Sequence, residues 1–253
     1  MQDPAYLAGG LKSLMQSIQI APRGPHLKAM TADYRTDPAP PPIPAPAWTF
    51  VATRERVADT VVHLLGIGLG LPAAIVIVAL AGASGQAAPF ALYAGGLVAM
   101  LGCSAAYHLA YRSRHREWLQ RFDHAAIFAM IAGSYTPFTL RLAHGWAEGL
   151  TAGIWIVAAL GIAAKLWKPK GIERLSTVLY LALGWIGVVA AGPFSAALAT
   201  PTLVLLAVGG AIYSAGVVFH IWRRLAYQNA IWHGFVLTAA CVHYAAALTV
   251  VRA

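Results

Sequence analysis

Polar and ionisable side chains recur at four-residue intervals inside the apolar stretches of this 253-residue sequence. Side chains four residues apart share one face of a helix, so each set predicts a polar stripe on an apolar helix. The sets are Glu55, Asp59 and His63, then Ser104 and His108, then Asn229 and His233. Ionisable groups inside a membrane are costly unless they face a cavity or one another, so these stripes predict one shared polar site.

The depth of these groups along their helices supports a single site. Each set lies roughly 3 to 14 Å from the nearest loop arginine, at a rise of about 1.5 Å per residue. Asp123 and His124 reach the same depth because they directly follow Arg121. A lone intramembrane histidine is more often a packing group that hydrogen-bonds a neighbouring helix. The coincidence of depth on four helices therefore carries the prediction, and each residue taken alone does not.

The elements that must position these residues are membrane-spanning helices. Hydrophobic residues make up 59% of the sequence and charged residues only 11%. The apolar runs reach the 20 or so residues that a helix needs to cross a bilayer, so the sequence predicts an all-α membrane protein, a seven-transmembrane helix bundle. The predicted spans cover about 57–80, 87–111, 122–141, 147–167, 175–192, 201–222 and 229–251. Within them, Gly66 and Gly70 form a GxxxG pattern that predicts close helix contact.

The loops between the spans carry a strongly asymmetric charge. Lys and Arg are retained on the cytoplasmic side, and 16 of the 18 in this chain fall in the N-terminal segment and in the second, fourth and sixth loops. The opposite side holds only Arg141 and Arg252. This asymmetry predicts a cytoplasmic N-terminus, an outside C-terminus and a polar site near the cytoplasmic face of the membrane.

The first 50 residues differ from the rest of the chain. Residues 37–48 read DPAPPPIPAPAW, which favours an extended polyproline linker. No continuous apolar run precedes Val57, so we expect no cleaved signal peptide. The sequence thus predicts two parts: a disordered or interfacial tail with a Pro-rich linker over 1–50, and a seven-helix transmembrane domain over 51–253.

Two other compositional features exclude alternative classes. Cys103 and Cys241 both lie inside apolar runs, which excludes a disulfide framework and a CxxC zinc knuckle and favours a packing role. The formal net charge of +9 would suggest nucleic-acid binding in a soluble protein. Because the cations here lie between apolar spans, membrane topology explains them better, and the expected partner is membrane lipid, with no nucleic acid.

Several segments in order resemble the successive signatures of the haemolysin III family, the bacterial branch of the progestin and adipoQ receptors, which is related to alkaline ceramidases. The resemblance covers about residues 54–252 and leaves the N-terminal segment out. The segments are ERVADTVVHLLGIG (55–68), SAAYH (104–108), RFDHAAIFAMIAGSYTPF (121–138), RLSTVLYLALGWIGV (174–188) and NAIWHGFVLTAACVHY (229–244).

The resemblance implies a zinc ion near the cytoplasmic face, held by one histidine of the second helix and two of the seventh, beside a serine and an aspartate. By position these are His108, His233, Ser104 and Asp123, while Asn229 occupies the remaining ligand position. An amide oxygen is a poor zinc ligand, so this departure weakens the implied site. His108, His233 and Asp123 would still form a His₂-carboxylate site. Position 59 also departs, with Asp59 where the family usually has asparagine, and His63 is a further candidate ligand.

The implied activity is that of a zinc-dependent hydrolase of lipid amides, similar to a ceramidase. In this hypothesis Asp123 is a ligand or general base, and Ser104 hydrogen-bonds the activated water or the developing oxyanion. An alternative is a non-enzymatic, receptor-like or regulatory membrane protein, for which Asn229 would mark lost catalysis. The family name also suggests a haemolysin, but no continuous polar stripe follows the predicted helices across the whole membrane, as a pore would require.

Overall fold

The computed structural model describes residues 47–167 and 171–252, and residues 1–46 of the predicted tail over 1–50 lie outside these ranges. Every regular element in the described residues is helical. The helices are α1 (Ala47–Ala83), α2 (Ala87–Leu109), α3 (Arg116–Thr139), α4 (Trp146–Trp167), α5 (Glu173–Gly184), α6 (Ala191–Ala197), α7 (Thr200–Ile221) and α8 (Gln228–Val251), with a 3₁₀ turn over Ile186–Ala190 between α5 and α6.

Helix boundaries follow the predicted spans with three differences. The first helix begins at Ala47, well before the predicted start at residue 57, and α3 begins at Arg116 instead of residue 122. Helices continue past the bilayer where their residues allow, whereas hydropathy detects only the apolar part. The predicted fifth span contains the 3₁₀ turn and is therefore two helices, α5 and α6.

Within the described ranges, six helical segments are long and apolar enough to cross a membrane: Thr53–Ala83 of α1, α2, α4, Glu173–Ala197, α7 and α8. Helix α3 is not among them, because Asp123, His124 and its later hydroxyl side chains lower its hydropathy. These polar groups are satisfied inside the protein: Thr136 Oγ1 donates to Ala132 O at 2.8 Å and accepts from Trp155 Nε1 at 3.1 Å. A helix sheltered by its neighbours can be polar, which explains the low apolar content of α3.

Small residues allow the helices to pack closely. Helix α2 lies between α1 and α3, α4 packs on α3, and α8 contacts both α1 and α7. At Gly133 of α3 an added Cβ would lie 2.6 Å from the Leu92 carbonyl oxygen, and at Gly96 of α2 one would lie 2.9 Å from the Ala129 carbonyl oxygen. The predicted GxxxG contact is present, because a Cβ at Gly70 would lie 2.2 Å from Leu101 of α2. Glycines thus set the spacing of α1, α2 and α3.

The chain direction brings three helices together at one end of the bundle. His108 is the penultimate residue of α2, and His233 lies in the second turn of α8. The stretch of α1 that carries Asp59 and His63 packs beside both helices. The polar stripes predicted on α1, α2 and α8 therefore meet at this end.

Candidate metal centre

Four ionisable side chains from three helices form one compact cluster. Asp59 and His63 come from α1, His108 from α2 and His233 from α8, and one potential ligand atom from each lies within 4.8 Å of all the others. Asp59 and His63 are buried, and His108 and His233 are half-buried. Among the described residues, this is the group of histidine, cysteine and acidic side chains arranged to hold a metal ion.

Asp59 lies at the centre of the cluster. Its Oδ2 lies 2.9 Å from Nδ1 of His108, within ion-pair distance, and its Oδ1 accepts a hydrogen bond from Nδ1 of His233 at 2.7 Å. His63 lies one helical turn further along α1, with its Nδ1 3.7 Å from Oδ1 of Asp59. The carboxylate therefore joins α1 to α2 and α8, and charge-assisted hydrogen bonds of this kind are the stronger ones in proteins.

The three imidazole rings are packed against one another. Ring centroids are 4.8 Å apart for His63 and His108, 4.4 Å for His63 and His233, and 4.5 Å for His108 and His233. His63 Nδ1 also lies 2.8 Å from the backbone oxygen of Asp59, the previous turn of its own helix, which fixes the ring orientation. Three imidazoles and a carboxylate at this spacing have the donor types that zinc prefers.

Ser104 and Asp123 border the cluster. The Ser104 hydroxyl lies 3.3 Å from Nε2 of His63, one turn before His108 on α2. Asp123 is buried on α3 and lies near Ser104 and His108. The structure therefore brings Ser104, His108 and Asp123 together, with Asp123 outside the 4.8 Å group, whereas His124, predicted at the same depth, is not among the clustered residues.

Asn229 occupies a different place from the histidines. It is exposed at the start of α8 and lines a cavity whose wall also includes Asp59. The predicted ligand position is thus at the edge of the cluster, and Asp59 supplies the central oxygen donor. The sequence contained the signal for Asp59, because the four-residue spacing from Glu55 to His63 already placed it on the polar face of α1.

Comparisons with known proteins agree with the motifs along the chain. A family model described as Haemolysin-III related matches residues 50–244, which include all four clustered residues. The Hemolysin-3 homolog of Bacillus subtilis (strain 168) is 33% identical over 188 residues, 73% of this chain and 88% of the relative. Hemolysin-3 of Bacillus cereus is 33% identical over 197 residues, 76% of this chain and 89% of the relative. The human Monocyte to macrophage differentiation factor is 32% identical over 166 residues, 60% of this chain and 66% of the relative.

Proposed function

The chain belongs to the haemolysin III family of multi-pass membrane proteins, as its motifs predicted, and we propose that it is a zinc-dependent lipid amide hydrolase of the bacterial inner membrane. The observation that carries this proposal is the cluster of Asp59, His63, His108 and His233 inside an apolar helical bundle. Ionisable side chains are retained at membrane depth chiefly where they have a function.

The donor set fits zinc. Zinc takes imidazole nitrogen and carboxylate oxygen at about 2.0 to 2.2 Å, usually in tetrahedral geometry. Asp59, His108 and His233 would be the protein ligands, a His₂-carboxylate set drawn from three helices. When bound at such a site, zinc polarises a carbonyl group and lowers the pKa of a coordinated water. Oδ1 of Asp59 lies 2.7 Å from Nδ1 of His233, and Oδ2 of Asp59 lies 2.9 Å from Nδ1 of His108. Only small side-chain movements would therefore open space for an ion between them.

Neighbouring residues supply the groups that such a hydrolysis needs. Asp123 would accept the proton of the attacking water and return it to the leaving amine, since it is a buried carboxylate beside the cluster. Ser104 would donate a hydrogen bond to the oxygen that becomes negative as the amide carbonyl is attacked. His63 Nδ1 donates to the Asp59 carbonyl oxygen, so its Nε2 accepts from the Ser104 hydroxyl, and this hydroxyl would turn away from His63 to donate to the substrate oxygen.

The membrane position of the site follows from the charge asymmetry of the loops. With the N-terminus in the cytoplasm and α3 as a seventh span, the end of the bundle that holds the cluster would lie near the cytoplasmic surface. Lipid substrates would reach such a site from the inner leaflet, and water would reach it from the cytoplasm. Membrane depth and family resemblance to ceramidases together favour a lipid amide as the substrate class.

One feature of the cluster favours a second, non-enzymatic candidate. Four protein donors can fill a tetrahedral zinc site completely, and closed sites of this kind are structural. If His63 coordinates the ion together with Asp59, His108 and His233, no position remains for water. The protein would then be a regulatory or receptor-like bundle that zinc holds together.

The two candidates predict different behaviour of the purified protein. Metal analysis of the wild type should give one zinc per chain, and lipid extracts from cells that express it should lose an amide-linked lipid relative to cells that express Asp123→Asn. The hydrolase proposal requires that Asp123→Asn retains zinc while the lipid change disappears. Zinc retention with identical lipid profiles for both proteins would instead support the regulatory candidate, and a zinc-free wild type that takes up no added zinc would exclude both.

A further inference from the structure

A cavity of about 310 Å³ lies beside the metal cluster, between α1 and the connection from α7 to α8. Asp59 belongs both to the cluster and to the cavity wall, so the cavity leads directly to the candidate metal centre. Its volume is at the lower end of the range for small-molecule sites, roughly 300 to 1,000 Å³. The space suits a polar headgroup and is too small for an entire lipid.

The two carboxylates in the wall already have partners. Glu55 accepts a hydrogen bond from the backbone N–H of Tyr227 at 3.0 Å, and both oxygens of Asp59 are bonded to histidines. Tyr227 has a left-handed backbone with φ of 58°, and its bond to Glu55 ties the loop before α8 to α1. The cavity is therefore built by a fixed contact between distant parts of the chain, and both of its carboxylates already contact other groups of the protein.

Two arginines, Arg56 and Arg223, also line the wall and bring positive charge to it. The Arg56 guanidinium is placed by the Tyr111 ring, 5.2 Å from the ring centroid. The Arg223 side chain is exposed and has no hydrogen bond or ion pair to any residue that the structure describes. Guanidinium groups bind phosphate oxygens through paired, charge-assisted hydrogen bonds. A bound zinc ion at Asp59 would add further positive charge to the same space.

We infer that this cavity binds the phosphate-bearing headgroup of a lipid, with Arg56 and Arg223 contacting the phosphate and the bond to be cleaved lying towards Asp59. The inference rests on the proposed lipid hydrolase function and narrows its substrate class to lipids with an anionic headgroup. Asn229, on the wall one turn before His233, is placed to hydrogen-bond the polar linkage between phosphate and acyl chain. This role accounts for an exposed, uncharged amide at the edge of a metal cluster.

A binding titration on the purified full-length protein in detergent tests the inference without scoring hydrolysis. The probes are dihexanoyl phosphatidic acid, the chain-matched dihexanoylglycerol, which lacks the phosphate, and inorganic phosphate. We expect phosphatidic acid to bind at least tenfold more tightly than either of the other two. Dihexanoylglycerol binding equally well would overturn the phosphate assignment, and inorganic phosphate binding equally well would overturn the lipid assignment.

The matched variants are Arg223→Gln, in the cavity wall, and Arg224→Gln, its exposed neighbour outside the wall. Arg223→Gln should weaken phosphatidic acid binding at least fivefold, and Arg224→Gln should change it less than twofold, with zinc content equal in all three proteins. Equal effects of the two substitutions would overturn the assignment to this cavity. Loss of hydrolase activity, or its absence from the start, would leave the binding comparison intact, so failure of the proposed function is distinguishable from failure of this inference.

Discussion

The Oδ1 atom of Asp59 lies 2.7 Å from Nδ1 of His233, although 174 positions of sequence separate the two residues. The contact joins the first and last helices of the described chain at the end of the bundle that holds the metal cluster. His108 binds the other oxygen of the same carboxylate, so one side chain on α1 fixes the positions of ligand candidates on α2 and α8. Asp59 is therefore the residue on which the geometry of the centre depends most directly.

Replacing this carboxylate by its neutral isostere should weaken the metal site. In Asp59→Asn the shape of the side chain is kept, but an amide oxygen is a poor zinc ligand and cannot accept two charge-assisted hydrogen bonds equally well. We expect zinc affinity to fall at least tenfold, about 1.4 kcal/mol. Zinc titration of the detergent-purified protein measures the change.

Glu148→Gln is the matched control, because it removes a carboxylate that is exposed at the start of α4 and absent from the cluster. Its zinc affinity should equal that of the wild type. Equal affinities for the wild type and Asp59→Asn, with the fold intact, would show that Asp59 does not coordinate the ion.

The helical architecture could be predicted from the sequence because apolar runs of membrane length leave few alternatives. The break between α5 and α6 at Ile186–Ala190 was missed, since the residues on both sides of it are equally apolar and hydropathy carries no signal for a 3₁₀ turn. Helix α3 differs from the prediction in another way, because it was predicted as a membrane span but is not among the segments apolar enough to cross a membrane. Its polar residues are accommodated by contacts with neighbouring helices, such as Trp155 with Thr136, and composition alone cannot show such contacts.

The sequence also identified residues of the candidate site, but not how they are arranged in space. Four-residue spacing identified the faces that carry Asp59, His63, His108 and His233, because i and i+4 positions align on any helix. Spacing within one helix does not determine which stripes meet, nor at what distance. The central position of Asp59, and the exposed position of Asn229 beside the cavity, depend on how α1 packs against α8, and this requires the tertiary structure.

The orientation of the bundle is tested with topology reporters. A reporter that is active only outside the cytoplasm should give a signal when fused after Ala253 and none when fused before Met1, because 16 of the 18 Lys and Arg are on the predicted cytoplasmic side. A cytoplasm-specific reporter at the same two positions provides the reciprocal control. The opposite pattern would place the cluster at the outer face. If both termini were reported on the same side of the membrane, the number of spans would be even, and α3 would not be the seventh span.

A histidine at position 229 should strengthen zinc binding. Asn229 lies one turn before His233 on α8 and lines the same cavity as Asp59, so the new imidazole in Asn229→His would approach the ion from the cavity side. We expect at least a tenfold gain in zinc affinity, about 1.4 kcal/mol, as the minimum for one added ligand.

Ala226→His provides the control for this gain, because Ala226 is exposed just before α8 and is not part of the cavity wall. Its zinc affinity should remain that of the wild type. A gain of the same size in both variants would indicate adventitious binding by surface histidines, and no gain in Asn229→His would mean that position 229 does not reach the ion.

Close packing of α2 and α3 should make stability sensitive to a single methyl group at Gly133. An added Cβ there would lie 2.6 Å from the Leu92 carbonyl oxygen, which belongs to the backbone and cannot rotate away, so the helices must separate. Overpacking of this kind costs about 1 to 3 kcal/mol, and we expect Gly133→Ala to lower the free energy of unfolding by that amount.

Gly102 on α2 is the matched control. An added Cβ there has no atom within 4 Å, so Gly102→Ala should leave stability unchanged or raise it slightly through helix propensity. Thermal unfolding of both variants in the same detergent measures this difference in stability. Equal unfolding temperatures for Gly133→Ala and Gly102→Ala would show that α2 and α3 do not approach as closely as the fold requires, and because α2 carries His108 and α3 carries Asp123, the arrangement of the site would then need revision as well.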